Sequence, residues 1–266
     1  MTLTLDLFAR KYLCLVAALT IGCGPGKSDT GDDDGTTGAS GASTTDTPTG
    51  DGPPQDVCAT GTAKTQVAID FGVPVVPCED EICSDERKGP CTVSAITSEG
   101  PTEVTLACDY EDLGPATAVL TLGLEPDDTL DLEVGAAVQL SYDSSSGFEV
   151  GGSSYLRITD DRGLVLGRGD IQRYGGLSGG TQWAEDYLTG LALPLTATIA
   201  SAGCPDDENL SVITVARDES SVTVAQGTTG LLASGDAWRV VVETASIRHD
   251  EIEEGDVRLT IVRVEQ

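Results

Sequence analysis

Two seven-residue runs, Cys91-Thr-Val-Ser-Ala-Ile-Thr97 and Thr102-Glu-Val-Thr-Leu-Ala-Cys108, flank the turn Ser98-Glu99-Gly100-Pro101. Folded about Gly-Pro, Val93 faces Leu106 and Ala95 faces Val104. Ser94 and Thr105 fall on the other side, with Ile96 and Glu103. One side is apolar and the other mostly polar, as a half-buried hairpin requires. In this register Cys91 lies opposite Cys108. Opposed residues sit about 4.5–5.5 Å apart in Cα, within disulfide reach, so a Cys91–Cys108 bond is expected.

The rest of residues 58–266 repeats this grammar. Short runs rich in Val, Thr, Leu and Ile alternate with Gly, Asp, Ser and Pro clusters, and long 3.6-period apolar stripes are missing. Tyr155–Thr159 and Leu164–Arg168 flank Asp160-Asp161-Arg162-Gly163. Ser211–Ala216 and Ser221–Gln226 flank Arg217-Asp218-Glu219-Ser220, with Ile213 facing Val224, Val215 facing Val222 and Thr214 facing Thr223. Ala237–Arg248 pairs with Val257–Val264 across an acidic loop. Further strands are expected at Thr65–Phe71, Thr117–Leu124, Leu130–Val134, Ala137–Tyr142 and Leu193–Ile199, and a short helix at Trp183–Leu191. About a dozen strands at this spacing indicate an all-β, antiparallel sandwich or barrel-like domain.

Before that domain the chain changes character. Residues 1–22 combine Arg10 and Lys11 with an apolar run from Tyr12 to Gly22, the pattern of a signal peptide. The run ends Leu19-Thr20-Ile21-Gly22-Cys23, which resembles a bacterial lipobox with Cys23 as the lipid-accepting residue. Thr20 stands where that pattern has Leu, and Leu19 sits one place earlier. Each buried acyl CH₂ contributes about 0.8 kcal/mol, so several chains on Cys23 would anchor the protein stably. Residues 24–57 hold 8 Gly, 7 Thr and 7 Asp, with Val57 the one aliphatic side chain larger than Ala. Such a segment cannot bury enough apolar area to offset chain entropy and is expected to be a disordered acidic tether, about 30 Å in r.m.s. span.

Together these features resemble the predicted lipoproteins common in myxobacteria, a largely uncharacterised group. The likeness lies in the signal peptide, the lipobox-like Cys23, the acidic Gly/Thr/Ser tether and the Cys-containing β domain. Residue usage agrees: four Lys and a single Asn, Asn209, with abundant Ala, Gly, Asp and Arg. The resemblance implies a location at the cell envelope and no particular activity. Gly24 after Cys23 is not the Asp associated with inner-membrane retention, so the outer membrane is favoured, on its periplasmic or outer surface.

With Cys14 in the signal segment and Cys23 lipidated, six cysteines remain: Cys58, Cys78, Cys83, Cys91, Cys108 and Cys204. An even number fits an oxidising compartment. After Cys91–Cys108 three connectivities are open, of which Cys78–Cys83 with Cys58–Cys204 is preferred. The spacing Cys78-x₄-Cys83-x₇-Cys91 is not a zinc pattern.

Charge narrows the partners. The formal net charge is -29, and residues 58–266 alone carry 12 basic and 36 acidic groups. Such a surface repels phosphate backbones, which excludes nucleic acid as a partner. Acidic clusters recur at turns, at Glu79–Glu81, Asp109–Asp112, Asp127-Asp128, Asp160-Asp161 and Asp206–Glu208. Oxygen-rich loops bind Ca²⁺ where six or more oxygens converge, although turn chemistry favours Asp in any case. Asp32-Asp33-Asp34-Gly35 lacks the spacing of an EF-hand loop.

No catalytic residue is assigned. Gly176-Leu-Ser178-Gly-Gly180 matches G-x-S-x-G, with His249 downstream, but a nucleophile elbow needs β/α alternation that this chain lacks. Arg168-Gly169-Asp170, the tripeptide integrins recognise, is read as chance. Six of the nine aromatics after Cys23 are Tyr142, Phe148, Tyr155, Tyr174, Trp183 and Tyr187. They alternate with Gly/Ser-rich stretches at 143–154 and 175–181, an arrangement that serves either as core filling or as a recognition patch. The sequence therefore points to a lipid-anchored envelope protein with a binding or structural role and no enzymatic activity. The alternatives are a calcium-dependent adhesin-like or glycan-binding module, and a hydrolase using two carboxylates, which no spacing identifies.

Overall fold

The computed structural model describes residues 57–58, 67–73, 82–147, 151–173, 182–192, 194–205, 209–247 and 255–265. The signal segment, Cys23, nearly all of the tether, Cys78, Phe148, Tyr174, Ser178 and His249 lie outside them, as do the side chains of Cys83 and Trp183. The described elements belong to the unit spanning Thr47–Gln266.

Short-range alternation makes the chain strand nearly throughout. In order it forms β1 Val67–Asp70, β2 Ile82–Thr97, β3 Thr102–Tyr110, β4 Gly114–Leu122, β5 Ala137–Gly147, β6 Gly151–Asp160, β7 Gly163–Arg173 and α1 Gln182–Ala192. Then follow β8 Thr196–Ser201, β9 Ser211–Arg217, β10 Ser220–Ala225, β11 Thr228–Ser234, β12 Asp236–Ile247 and β13 Gly255–Val264. All pairings are antiparallel. One sheet has ten strands, in the order β1-β4-β3-β2-β5-β6-β7-β13-β12-β11, and a second has three, β10-β9-β8. The fold is all-β and sandwich-like.

The large sheet is buried on different faces at its two ends. On face I, Leu106, Leu120, Leu140, Ile158, Leu166 and Val262 belong to one buried cluster. Among the described residues, the pieces added to it from outside the strands are residues around Phe71 and Leu124–Ala136, so the sheet curls around this core. On face II, Ile171, Val240, Leu259 and Ile261 pack instead against α1 and the small sheet. The crossover lies at β7 and β13, which carry buried apolar residues on both faces. Trp238 closes the second core, with the Arg217 guanidinium 4.9 Å from its ring centroid.

The Cys91–Cys108 disulfide forms, with Cα atoms 4.0 Å apart. Cys58 is joined to Cys204 across 146 residues. The β9–β10 register is the one the sequence implies, with Ile213 opposite Val224 and Val215 opposite Val222. Three expectations need correction. A bulge after Val93 shifts the β2–β3 register by one, so Ile96, not Ala95, faces Val104. The shift brings the larger apolar side chain to the core side, and the Ser94 hydroxyl donates to the Thr105 carbonyl. Leu130–Val134 is no strand: Leu130 makes one bridge to Val264, and a turn follows at Val134. Most of the Gly/Ser stretch 143–154 is not a loop, because β5 and β6 pair from Asp143–Tyr155 out to Gly147–Gly151.

Candidate functional site

Helix α1 determines where face II is open. It seats on β7, where Gly167 and Gly169 leave room for Leu188 and Leu191; a Cβ on Gly169 would lie 2.9 Å from Leu191 Cδ2. Glu185 accepts a hydrogen bond from the Ile199 amide at 2.7 Å. Thr189 Oγ1 accepts one from the Ala197 amide at 3.1 Å, so both side chains fasten the helix to β8. The last turn of α1 has no basic residue of its own. Arg157 of β6 supplies the positive charge, donating to the Gly190 carbonyl near the negative end of the helix.

The helix covers β7, touches β6 through Arg157 and Tyr155 and, among the described residues, does not pack on β5 or β2, which makes a step. Register aligns Glu86, Asp143, Tyr155 and Gly169 across four strands at its foot. The neighbouring rung holds Lys88, Ser141 and Arg157, and the rung on the other side holds Ser84, Ser145 and Ser153. Tyr187 stands on the helix side, its ring edge-on to Tyr155 at 6.1 Å. Burial raises the Tyr187 hydroxyl well above its ordinary pKa, although its hydrogen bond with Ser153 works the other way. The Ser145 and Ser153 hydroxyls are 3.2 Å apart. The Glu86 carboxylate bonds the Lys88 ammonium and holds it above its usual pKa.

Glu86 and Lys88 also line a cavity of about 180 Å³ with Tyr110, Glu111, Asp112 and Leu113. Regular β2–β3 pairing ends at the Cys91–Cys108 bond, and beyond it the Glu111 amide donates to the Lys88 carbonyl. Gly89 lets the two backbones approach closely: a Cβ there would lie 2.1 Å from the Asp109 carbonyl oxygen. Burial raises the Tyr110 hydroxyl above its ordinary value, and this group donates to the Phe71 carbonyl. Step and notch share Glu86 and Lys88, so they form one continuous polar surface bearing carboxylates, an ammonium, hydroxyls and a tyrosine pair. At about a third of the volume of a mid-sized ligand pocket, the notch fits one group of a ligand, not a whole one.

Of the six aromatics considered as a patch, Phe148, Tyr174 and the side chain of Trp183 lie outside the described residues, and the other three divide between the two faces. Tyr142 pairs with Leu156, so adjacent Tyr155 points to the other face. Tyr142 packs on Phe71 with ring centroids 4.7 Å apart, in the face I core. Among the described members, Tyr155 and Tyr187 are brought together. The Arg168-Gly169-Asp170 tripeptide is absorbed by the strand: Arg168 bonds Glu243, Asp170 bonds Arg258, and Gly169 lies under the helix.

The carboxylate pairs that the structure gathers are bridged by arginines. Arg258 contacts both Asp170 and Glu243. Arg263, fully buried, binds Asp160 and lies 3.1 Å from Asp131 through Nε, a contact too bent for a hydrogen bond. Asp128 forms a two-bond pair with Arg239 at 2.7 and 2.8 Å. Two of the acidic turns considered for calcium thus hold guanidinium groups. Among the described residues no group of three or more His, Cys, Asp or Glu is placed to hold a metal ion. None of their helices is long and apolar enough to cross a membrane. No protein-family model, curated protein or solved structure matches the chain.

Proposed function

We propose that this protein is a lipid-anchored component of a bacterial cell envelope whose β domain binds an extracytoplasmic ligand. The observation that carries the reading is the Cys58–Cys204 disulfide. It fastens the residue next to the tether to the connection between β8 and β9, so pull on an anchor at Cys23 is delivered to a covalent staple. Two such bonds belong to an oxidising compartment. The outer membrane is the favoured location, on the residue after Cys23. Cys23→Ser tests the anchor: the protein moves from the membrane fraction to the soluble one, and retention in the membrane refutes the anchor.

The binding surface is the step on face II. Its chemistry favours a glycan: Tyr155 offers a ring to the CH face of a sugar, while Asp143, Ser145 and Lys88 offer acceptors and donors to its hydroxyls. Tyr155→Ala weakens binding about tenfold, as loss of a single aromatic anchor does. Calorimetry with envelope polysaccharide measures it, and equal affinity of both forms places the ligand elsewhere.

A further inference from the structure

We infer that the notch beside β2 is a subsite for a primary ammonium group on the glycan that lies on the step, so that the ligand is an amino-sugar chain and not a neutral one. The inference rests on the step being the binding surface and names the class of ligand that it takes.

The cations at the notch are already engaged. The Lys88 ammonium is bonded to Glu86 and the Arg87 guanidinium to Asp85. The Tyr110 hydroxyl donates to the Phe71 carbonyl. The facing carboxylates are not engaged. Glu111 and Asp112 are exposed and have no ion-pair partner among the described residues. Their turn is held by backbone alone: the Glu111 amide donates to the Lys88 carbonyl and the Leu113 amide to the Tyr110 carbonyl. The side chains are therefore not needed for the turn. Asp128 and Asp160, by contrast, are occupied by Arg239 and Arg263.

The cavity thus offers an incoming group negative charge and acceptors. An ammonium, with three donors and no acceptor, matches that lining, whereas a carboxylate or phosphate is repelled. Leu113 adds an apolar wall: it is 47% exposed and lines the same cavity. Two carboxylates beside a leucine suit a charged tip on a carbon frame. The volume of about 180 Å³ holds one such group.

Position ties the notch to the step. Tyr155, Asp143 and Glu86 share one rung, with Tyr155 two strands from Glu86, or about 10 Å at strand spacing. A sugar seated on the Tyr155 ring leaves a neighbouring sugar of the same chain to reach the notch. Asp143, between the two, keeps the path acidic.

Titration calorimetry of the full chain carrying Cys23→Ser tests the inference with two probes of one backbone. The tetramer of glucosamine bears amines, and the tetramer of N-acetylglucosamine has each amine capped. In mildly acidic buffer, which keeps the amines charged, the first is expected to bind about tenfold tighter, the scale of a hydrogen bond to a charged group. Glu111→Gln with Asp112→Asn keeps the shape of the notch and removes its charge. It should erase the preference and leave binding of the capped tetramer unchanged. Glu99→Gln with Glu103→Gln removes equal charge at the other end of the β2–β3 hairpin, about 25 Å away and beyond the Debye length, and should keep the preference. Equal binding of the two tetramers overturns the amine subsite and leaves the glycan site standing. So does a preference that survives the Glu111 and Asp112 changes, or one that falls as far in the charge-matched control. Binding of neither tetramer overturns both the glycan site and the amine subsite.

Discussion

The two ends of the large sheet solve one problem in opposite ways. From β1 to β6 the sheet curls and buries face I against itself, with the Cys91–Cys108 bond closing a local hairpin. From β13 to β11 it buries face II under α1 and the small sheet, with Cys58–Cys204 as a long staple. A curled sheet is its own cover. A layered one depends on separate elements that must dock, and so on the contacts that hold them. The step lies next to this boundary, where the helix cover stops.

The largest effect should come from cutting the staples separately. In the chain-entropy model the stabilisation from a bond grows with its loop. Loss of Cys58–Cys204 is expected to cost about 5 kcal/mol and loss of Cys91–Cys108 about 3 kcal/mol. Urea unfolding of the two double Cys→Ala variants measures the difference. Equal costs would mean that the layered half does not depend on its staple.

Next comes the ion cluster at the junction. Arg263→Met leaves Asp160 and Asp131 without their buried cation and is expected to cost 3–5 kcal/mol, near the top of the range for point substitutions. The same cluster sets an acid limit. Burial raises the Asp160 carboxyl, but the Arg263 hydrogen bond and charge, with help from Arg162, outweigh it and hold the group below the usual carboxylate range. A depressed native pKa contributes stability that is complete above the ordinary Asp value of about 3.9 and is lost as pH falls through the native value. Melting temperature should therefore drop in that acid window, and Asp160→Asn should flatten the drop while lowering stability at neutral pH by about 1.5–3 kcal/mol.

Gly169→Val tests the docking of the cover. The added methyls meet Leu188 and Leu191, and overpacking of this kind costs about 1–3 kcal/mol. Loss of protease protection at α1, with the Cys91–Cys108 half unaffected, would show that the layered end opens on its own.

The hairpins were legible because alternation, turn residues and opposed cysteines all agree in them. Parity across a longer connection was not. Tyr142 and Tyr155 look like neighbours in a patch, but the β5–β6 register pairs Tyr142 with Leu156, and one residue of offset reverses the face. The first half of β2 was hidden because Ser84-Asp85-Glu86-Arg87-Lys88 shows no apolar alternation. Backbone pairing to β5 keeps it in the sheet, with Arg87 buried beside Asp85, and Glu86 and Lys88 on the other side. Glu86 and Lys88, two apart and so on one side of a strand, were the available signal for the site. The switch of faces at β13 is visible only in retrospect, as an apolar run interrupted by Thr260, Arg258 and Arg263.

The smallest effect sharpens the curled half. The bulge after Val93 exchanges the roles of Ala95 and Ile96, and the Ser94–Thr105 hydrogen bond accompanies it. A strictly regular hairpin would keep Ala95 against Val104 and leave Ile96 among polar neighbours. The two registers predict different mutational costs. With the bulge, Ile96→Ala removes methyl groups from beside a fully buried Val104 and costs roughly 1–2 kcal/mol, the low end for a half-buried aliphatic. Without it, the same change touches only solvent-facing surface and costs under about 0.5 kcal/mol. Ser94→Ala should cost no more than about 1 kcal/mol, since the exposed hydrogen bond accompanies the bulge while the gain from burying Ile96 holds it in place. If Ser94→Ala proves the costlier of the two, the hydroxyl and not the isoleucine sets the register of the curled half.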